Sequence, residues 1–443
     1  MLQTTNKMNK ETCINIVWLK RDLRLNDNTA LIHATKSNVP TLLLFIFDDD
    51  ILDKLESDDS RVSFIYDSLC QINSTLKQHN SSLLIKKGKP LQVFETLLDE
   101  YRIKDIYANE DYEPYGIKRD AAINELCGKY DVQFNLYKDQ VIFAKNEVLK
   151  KDGKPYTVFT PYKNQWLRQF NDLYRVFSKV TDKAIHPFFA EVNYEFPTLE
   201  VLGFERGKMK TKVYDVEHLE DYQIKRDLPD KDAGSYLGPH LRFGTVSIRH
   251  IVFKAIESSE VFLSELIWRE FFMQVLYHFP QSAGRNFKSK YDWIDWRNHE
   301  GDFERWCNGT TGYPMVDAGM RQLNQTGYMH NRVRMVTASF LCKHLLIDWQ
   351  WGEAYFASKL LDFELSSNVG NWQWAAGTGC DAAPYFRVFN PALQQKKFDP
   401  DYAYIRKWIP ELGTMLYPQP IVEHAFARDR ALKTYKEGIE SKS

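Results

Sequence analysis

The stretch from Ile14 to Phe47 reads INIVWLKRDLRLNDNTALIHATKSNVPTLLLFIF and both begins and ends with an apolar run. Apolar runs of this length, rich in β-branched and aliphatic residues, predict strands buried on both faces, as in a parallel sheet. Similar runs follow at SLLIKKG (82–88), DIYAN (105–109) and VQFNLY (132–137). Helical periodicity separates them, for example over residues 61–78 and 90–101. Strands alternating with helices predict a doubly wound α/β domain over residues 13–140.

The segment after the first strand argues against a standard dinucleotide site. The run INIVWL (14–19) continues directly into KRDLRLNDNTAL (20–31), and no GxGxxG pattern follows it. That pattern supplies the tight turn and close backbone approach that a pyrophosphate needs. A standard dinucleotide site is therefore disfavoured in this domain.

Residues 141–212 have weak periodicity, several prolines and a basic stretch at their end, RGKMKTKVY (206–214). We predict a long interdomain connector over 141–212. Because a structureless loop of this length is uncommon, we expect local helix within it, around residues 162–177.

Residues 213–443 are helical in pattern throughout. Apolar residues recur at i, i+3, i+4 and i+7 in four segments. These are SELIWREFFMQVLYHF (264–279), PMVDAGMRQLNQTG (314–327), HNRVRMVTASFLCKHLLIDW (330–349) and WGEAYFASKLLDFEL (351–365). The fold class is therefore α/β followed by all-α, with an all-helical domain over 213–443.

The composition is that of a folded protein of two domains. The chain has 443 residues, a net charge of -1, 14% aromatic residues and 11 Trp. A length above about 300 residues usually means more than one core. The six cysteines form no CxxC pair or zinc pattern, the N-terminus is polar, and no apolar run could span a bilayer, which favours reduced thiols and a cytoplasmic protein.

Several polar residues fall where the helical pattern expects core. Glu265, Trp268 and Arg269 share one helix face, where they could recognise a base edge or form an exposed ion pair beside a core Trp. In the segment 330–349, Asn331 and Met335 also share a face, and its arginines could bind an anion or be solvated. Further along, GSYLGPHLRFG (234–244) could bind phosphate or be a plain loop.

The segment LLDFELSSNVGNWQW (360–374) combines acidic residues with two indoles. We expect Asp362 and Glu364 to end a helix and Asn368 to open the turn beyond it. The acidic groups could accept hydrogen bonds from a heterocycle, or they could serve only local capping. Trp372 and Trp374 would face about 200° apart on any helix, which suits two different sites.

Five co-linear motifs together resemble the DNA photolyase/cryptochrome family, from about residue 14 to the C-terminus. They are WLKRDLRLNDNTAL, ELIWREFF, TGYPMVDAGMRQL, GYMHNRVRMVTASFL and SNVGNWQWAAGTGCDAAPYFRVFNP. The likeness is greatest to the microbial class I cyclobutane pyrimidine dimer photolyases. The resemblance implies an antenna-type domain at 13–140 and an FAD- and DNA-binding domain at 213–443.

The implied activity is light-driven repair of ultraviolet-damaged DNA by a carbon–carbon lyase. Photoexcited reduced FAD passes an electron to a flipped-out dimer, whose poor stacking lowers the cost of extrusion. No acid–base triad and no metal are implied, because the cofactor supplies the one-electron chemistry. The implied protein is a monomer in the cytoplasm, associated with the nucleoid when bound to DNA.

The resemblance assigns residues to FAD. Arg334 with Asp362 corresponds to an ion pair beside the isoalloxazine, and Asn368 to the residue facing flavin N5. The full set of cofactor-binding positions is Tyr222, Gly234, Ser235, Tyr236, Leu237, Gly238, Phe262, Arg334, Asp362, Phe363, Glu364 and Asn368.

Other positions correspond to the dimer, the DNA and the electron relay. The catalytic positions are Glu265, Asn331, Met335 and Asn368. The DNA-binding positions are Glu265, Trp268, Arg269, Phe272, Asn331, Arg332, Trp374 and Gln394, with Arg387 and Lys396 near the DNA backbone. Trp296, Trp349 and Trp372 correspond to a chain that carries electrons to oxidised flavin.

The chain departs from the family pattern at three places. The usual TSRLSP is GSYLGP here, the usual Trp of TGWMHNR is Tyr328, and the second acidic residue near the flavin is Glu364 rather than Asp. In NEDYEPYG (109–116), Tyr115-Gly116 stand where folate-binding members carry Asn-Glu. A second, antenna chromophore is therefore a deazaflavin, a folate held in another way, another flavin, or none.

Three alternatives to dimer repair stay open at this point. A cryptochrome photoreceptor without repair activity would share the Trp chain, and a six-four photoproduct lyase would share the chemistry. The six-four subfamily, however, places a histidine where Asn331 stands. The third alternative is a plain flavin- or DNA-binding module.

Overall fold

The protein is described here from a computed structural model, which covers residues 12–177 and 189–441. The polar N-terminal stretch and residues 178–188 of the predicted connector lie outside the described residues. Internal contacts divide the chain into two compact units, each discontinuous in sequence. The sheet unit comprises the described residues of Met1–Val148, Asn164–Lys212 and Pro239–Lys254, and the helical unit those of Leu149–Lys163, Val213–Gly238 and Ala255–Ser443. The boundaries expected at residues 140 and 212 stay a prediction.

The sheet unit contains five parallel strands in the order β3-β2-β1-β4-β5. The strands are β1 (Cys13–Leu19), β2 (Thr41–Asp48), β3 (Leu84–Gly88), β4 (Arg102–Asn109) and β5 (Gln133–Tyr137). Each coincides with one of the apolar runs, so the predicted doubly wound sheet is confirmed. The order reverses between β1 and β4, which places a crevice at their carboxyl ends.

The apolar runs are continuous because both faces of the sheet are covered. All eight residues of β2 are buried. Side chains of a strand alternate between faces, so Leu43, Phe45 and Phe47 enter one apolar cluster. Their neighbours Leu42, Leu44 and Ile46 enter a second cluster on the opposite face. This two-sided burial explains why the runs show no polar alternation.

Helices make up most of the remaining described structure. They are α1 (Thr29–Ala34), α2 (Asp49–Leu52), α3 (Ser60–Lys77), α4 (Pro90–Glu100), α5 (Pro114–Lys129), α6 (Phe159–Phe177), α7 (Tyr222–Lys225), α8 (Leu237–Phe243), α9 (Ile248–Ser258), α10 (Glu260–His278), α11 (Glu300–Cys307), α12 (Pro314–Thr326), α13 (Asn331–Ser339), α14 (Trp349–Lys359), α15 (Leu365–Ala376), α16 (Pro391–Phe398), α17 (Ala403–Trp408) and α18 (His424–Glu440). A π-helical turn, Phe340–Leu345, follows α13. Helices α3, α4 and α6 confirm the helical stretches expected at 61–78, 90–101 and 162–177.

The helical unit is built around one large apolar cluster. Between residues 213 and 441 the described chain forms helices, turns and loops but no strand, as the periodicity predicts. Its cluster includes residues from α11, α12, α13, α14 and α15, among them Trp306, Trp349 and Trp372. Within the described ranges, no helix is long and apolar enough to cross a bilayer.

One local prediction is wrong. Helix α14 ends at Lys359, so Asp362 and Glu364 lie in a loop, and Asn368 lies inside α15 rather than in a turn. Ser366, Ser367 and Asn368 favour turns locally. Burial of Val369 and Trp372 against the core overrides that preference and extends the helix to Gly377, which ends it with φ +89°.

Candidate functional site

A cavity of about 630 Å³, open to solvent, lies within the helical unit. Its walls come from α13, α15 and the loop between α14 and α15. Nine of the residues assigned from the sequence line it: Asn331, Arg334, Met335, Asp362, Phe363, Glu364, Asn368, Trp372 and Trp374. The tertiary structure thus brings together cofactor, substrate and relay candidates from two separate sequence regions.

The ion pair expected beside a flavin is present at this cavity. Arg334 Nη2 donates to Asp362 Oδ2 at 2.8 Å, and Arg334 Nε donates to the Met329 carbonyl at 2.8 Å. The other carboxylate oxygen, Asp362 Oδ1, is buried and accepts no hydrogen bond from the described residues. A buried acceptor without a donor is costly, so this oxygen marks a place for a ligand's donor group.

Gly238 allows the segment 234–238 to lie directly against this carboxylate. A Cβ on Gly238 would lie 2.6 Å from Asp362 Cβ. A side chain such as the serine usual in the family would therefore displace Asp362. The glycine in GSYLGP brings backbone and carboxylate together at the wall of the site.

Two departures from the family pattern contact each other near this segment. Tyr236 has a left-handed backbone, with φ +52°, and its hydroxyl donates to Asp232. Its ring makes an edge contact with Tyr328 at 5.3 Å between ring centres. The replacement of Arg by Tyr236 and of Trp by Tyr328 therefore belongs to one local rearrangement.

Asn368 is held by a residue that the sequence did not indicate. Its Nδ2 donates to the backbone oxygen of Glu353 at 3.0 Å and to Glu353 Oε1 at 2.8 Å. Burial raises the pKa of Glu353, and the hydrogen bond from Asn368 opposes that shift. Both bonds use the Asn368 amide nitrogen, and Asn368 lines the cavity. The two residues are on different helices, so no spacing in the sequence could reveal the pair.

The charged residues expected at the substrate pocket have partners from distant segments. Glu265 Oε1 accepts from Arg226 at 2.8 Å, and Arg332 Nη2 donates to Asp227 at 2.7 Å. Arg269 pairs with Glu364 at 3.4 Å. Glu265 and Arg269 on α10 therefore each have a partner far along the chain.

The aromatic residues assigned to the pocket pack on one another. The Trp268 ring stacks on Phe159 with ring centres 3.6 Å apart, and Tyr222 makes an edge contact with Phe262 at 5.0 Å. Phe272 is buried, with its ring against Gly370. Phe159 lies outside every motif used above, so the sequence offered no sign of its contact with Trp268.

The three candidate relay tryptophans run from the core towards the surface. Trp372 and Trp349 are each 2% exposed, whereas Trp296 is half-buried. The Trp372 ring lies against Gly352, one turn after Trp349 on α14. Trp349 Nε1 donates to Asn286 Oδ1 at 2.9 Å, and Trp296 makes an edge contact with Tyr435 at 5.6 Å.

The remaining assigned residues are distributed around the cavity-bearing helices. Leu237 is buried, and the Ser235 carbonyl accepts from the Asp215 amide at 2.9 Å. Gln394 is half-buried on α16, and the basic residues Arg387 and Lys396 are exposed. The Arg332 guanidinium lies 4.3 Å from the ring centre of Phe398, at the end of α16.

A parallel α/β unit and an all-α unit that carries this cavity form the architecture expected of the family that the sequence motifs resemble. Residues 15–183 match the family model described as DNA photolyase, and residues 262–416 match the FAD binding domain of DNA photolyase. The chain belongs to the DNA photolyase family.

Individual relatives agree over nearly the full chain. The deoxyribodipyrimidine photo-lyase of Vibrio cholerae serotype O1 is 34% identical over 96% of this chain and 99% of that protein. A class III photolyase of Agrobacterium tumefaciens has a TM-score of 0.83 at 31% identity, covering 99% of this chain and 100% of that one. An archaeal photolyase of Sulfolobus tokodaii, solved with two FAD molecules, has a TM-score of 0.79 at 34% identity, covering 96% and 99%. The assignment to class I stays a prediction.

Proposed function

We propose that the protein repairs cyclobutane pyrimidine dimers in DNA by light-driven electron transfer, with FAD bound in the cavity of the helical unit. The observation that carries this proposal is the cavity wall, where the Arg334–Asp362 pair, Asn368 and Trp374 meet. Bound FAD, in its reduced and photoexcited form, supplies the electron that splits the dimer and takes it back afterwards. Relatives with the name deoxyribodipyrimidine photo-lyase support the same activity.

The cofactor-binding side of the proposal rests on a carboxylate oxygen that has no donor among the described residues. The buried Asp362 Oδ1 would accept a hydrogen bond from the flavin, and Arg334 would fix the orientation of that carboxylate. The Asn368 carbonyl would face flavin N5, held there by Glu353. An amide carries no charge, so it leaves room for negative charge on the reduced cofactor. Gly238 would allow the backbone of 234–238 to approach the FAD phosphates.

The substrate side uses aromatic walls and polar groups. Trp374 and Trp268 would stack against the flipped bases, and base–aromatic stacking contributes about 1–3 kcal/mol per base. Glu265 would hydrogen-bond the thymine edge of the dimer, with Arg226 bound to its Oε1. Asn331 and Met335 would complete the pocket. Arg332, Gln394, Arg387 and Lys396 would contact the DNA backbone and make affinity salt-dependent.

Asn331 favours cyclobutane dimers over six-four photoproducts. It lines the cavity on the first turn of α13, where the six-four subfamily carries a proton-donating histidine. An amide cannot serve as that proton donor. We therefore propose a dimer lyase that acts as a monomer in the cytoplasm.

A second chromophore in the sheet unit would have to fit around side chains that already contact one another. The Tyr115 hydroxyl donates to Asp48 Oδ2 at 2.6 Å, and a Cβ on Gly116 would meet the Asp111 carboxylate at 2.5 Å. The Asn-Glu pair of folate-binding members is replaced by these two residues. A flavin is the alternative that the archaeal relative with two FAD molecules supports.

The test is illumination of the chemically reduced protein with oligonucleotides that carry a cyclobutane dimer, a six-four photoproduct or no damage. We expect light-dependent loss of the dimer alone, and none in the dark. Flavin-loaded, reduced protein that leaves the dimer intact would overturn the proposal. Trp372→Phe separates the relay from repair, because it should stop photoreduction of oxidised flavin yet leave repair by pre-reduced protein.

A further inference from the structure

Lys343 is a buried cation that the mechanism above does not use. It lies in the turn Phe340–Leu345 and is 1% exposed. Its Nζ donates to the Ala376 carbonyl at 2.8 Å, and no carboxylate of the described residues forms an ion pair with it. Burying a charge without an opposite charge is costly, so its position calls for an explanation.

The ammonium is one ring away from the outer end of the tryptophan chain. Lys343 Nζ lies 3.5 Å from the centre of the Tyr435 ring. That ring in turn makes its edge contact with Trp296, at 5.6 Å between centres and 87° between planes. Tyr435 is fully buried, so water does not screen this path as it would at the surface.

Tyr435 is poorly placed to carry the electron hole itself. Oxidation of a phenol is favourable only when its proton can leave to a base. The Tyr435 hydroxyl donates at 2.9 Å to the Ala376 carbonyl, which is not a base, and the ammonium over its ring opposes a further positive charge. The electric field of Lys343 therefore acts on Trp296 across the Tyr435 ring, but the electrons of the relay do not pass through Tyr435.

We infer that Lys343 controls, through its charge, where the electron hole of the relay resides. Its protonated ammonium disfavours the oxidised form of Trp296 and so limits how far the hole moves outward along the tryptophan chain. The inference rests on the relay within the proposed function. In each cycle Trp372 gives one electron to the flavin, Trp349 gives one to oxidised Trp372, and Trp296 gives one to oxidised Trp349. A thiol in solution then refills Trp296.

Lys343 is the group that titrates near neutral pH in this environment. Burial lowers its pKa to about 7. The groups that face it or its aromatic partner are Cys342, Tyr435, Tyr291, Tyr385 and Asp348. Burial raises the pKa of Cys342 and holds that of Tyr435 well above its usual value, so both stay neutral.

Three further groups, Asp348, His344 and Arg430, complete the electrostatic surroundings of Lys343. Burial raises the pKa of Asp348, and the hydrogen bond that its side chain accepts from the Gln350 amide opposes that shift. His344, the next residue, bonds His424 at 2.9 Å, and burial lowers its pKa to about 3. The Arg430 guanidinium donates to the His344 carbonyl and stays charged throughout.

The experiment follows photoreduction of the oxidised, flavin-loaded protein under blue light with an added thiol, between about pH 6 and about pH 9, on either side of the lysine's transition. We expect the initial yield of reduced flavin in the unsubstituted protein to rise with pH. The rise should be on the order of tenfold, because the lysine charge is one ring away from Trp296 in a weakly screened site. Lys343→Met should give a high yield without this rise. Lys343→Arg, charged at every pH tested, should stay low.

Controls separate electrostatics from structure. Tyr435→Phe removes the hydroxyl bond to Ala376 but keeps ring and cation, so it should preserve the rise with pH. Transient absorption of the indole radical should show more hole on Trp296 at high pH. As a readout apart from photoreduction, the Tm of the unsubstituted protein should rise relative to Lys343→Met as pH increases, because deprotonation removes the cost of the buried charge.

Two results would overturn the inference. One is a flat pH profile in the unsubstituted protein, which needs no variant to fold. The other is a Lys343→Met variant that folds and keeps the full rise with pH. Failure of the proposed function would be seen differently, as pre-reduced protein that does not repair dimers or as photoreduction that survives Trp296→Phe.

Discussion

One ion pair in the sheet unit and one in the helical unit differ in how far they are withdrawn from water. The Arg24 and Asp139 side chains in the sheet unit are 7% and 1% exposed, whereas Arg334 and Asp362 at the cavity are 28% and 19% exposed. Asp139 accepts from Arg24, from Arg249 and from both the amide and the hydroxyl of Thr29. Asp362 keeps one oxygen without a donor among the described residues.

The difference separates a structural pair from a binding pair. A buried carboxylate whose oxygens are all engaged contributes to holding segments together, and removing it leaves charges stranded. A half-exposed pair contributes little to stability but presents charge and an open acceptor to a ligand. The same residue types therefore serve packing in one unit and recognition in the other, and paired substitutions can test this.

The largest expected effect comes from substituting the two aspartates. Asp139→Ala should lower the free energy of unfolding by about 3–5 kcal/mol, because Arg24 and Arg249 lose a shared buried partner. Asp362→Ala should change it by less than about 1 kcal/mol but should greatly reduce flavin retention. Denaturant unfolding and the flavin-to-protein absorbance ratio measure the two outcomes. A large loss of stability in both variants would contradict the distinction.

Two glycines that pack directly against aspartates test the same comparison between the two units, with a smaller expected effect. A Cβ on Gly116 would lie 2.5 Å from Asp111 Cγ in the sheet unit, as one on Gly238 would lie 2.6 Å from Asp362 Cβ. Overpacking of this kind typically costs about 1–3 kcal/mol. We expect Gly116→Ala to appear mainly as lower stability, and Gly238→Ala mainly as weaker FAD binding, measured by reconstitution of the apoprotein. Equal flavin affinity in Gly238→Ala and the parent would argue against contact between this segment and the cofactor.

The smallest expected effect concerns helix caps, and it depends on pH. Asn28 caps α1 in the sheet unit, whereas His330 caps α13, where its Nδ1 accepts from the Arg332 amide at 3.2 Å. Burial lowers the pKa of His330 to about 4. Between this value and the ordinary pKa near 6.5, the unfolded chain binds more protons, so stability should fall as pH falls through that window.

The matched variant His330→Asn gives α13 the non-titrating cap of α1. It should keep the cap, which is worth about 1 kcal/mol, and reduce the loss of Tm on acidification. Thermal unfolding at several pH values between about 4 and about 7 measures this, across the window of the shift. Identical acid profiles for the two proteins would show that His330 is not the group responsible.

Strand positions were predictable because two-sided burial selects unbroken apolar runs. The partners and positions of the candidate site residues were harder to predict from the sequence. Glu265 and Arg269 share a helix face, yet each pairs with a residue far along the chain. Asn368 reads as a turn residue, yet packing of Trp372 places it inside α15. Local propensities amount to a fraction of a kcal/mol, and tertiary burial outweighs them.

By itself, the sequence determined the order of elements, the α/β and all-α character of the two regions, and the family through five co-linear motifs. Such information is local, because periodicity and motif spacing depend on residues close together in the chain. Only the tertiary structure decided that Glu353 orients Asn368, that Arg226 holds Glu265, that Asp362 keeps an open oxygen, and that Lys343 lies over Tyr435. These contacts join residues from different elements, and the packing of helices sets them.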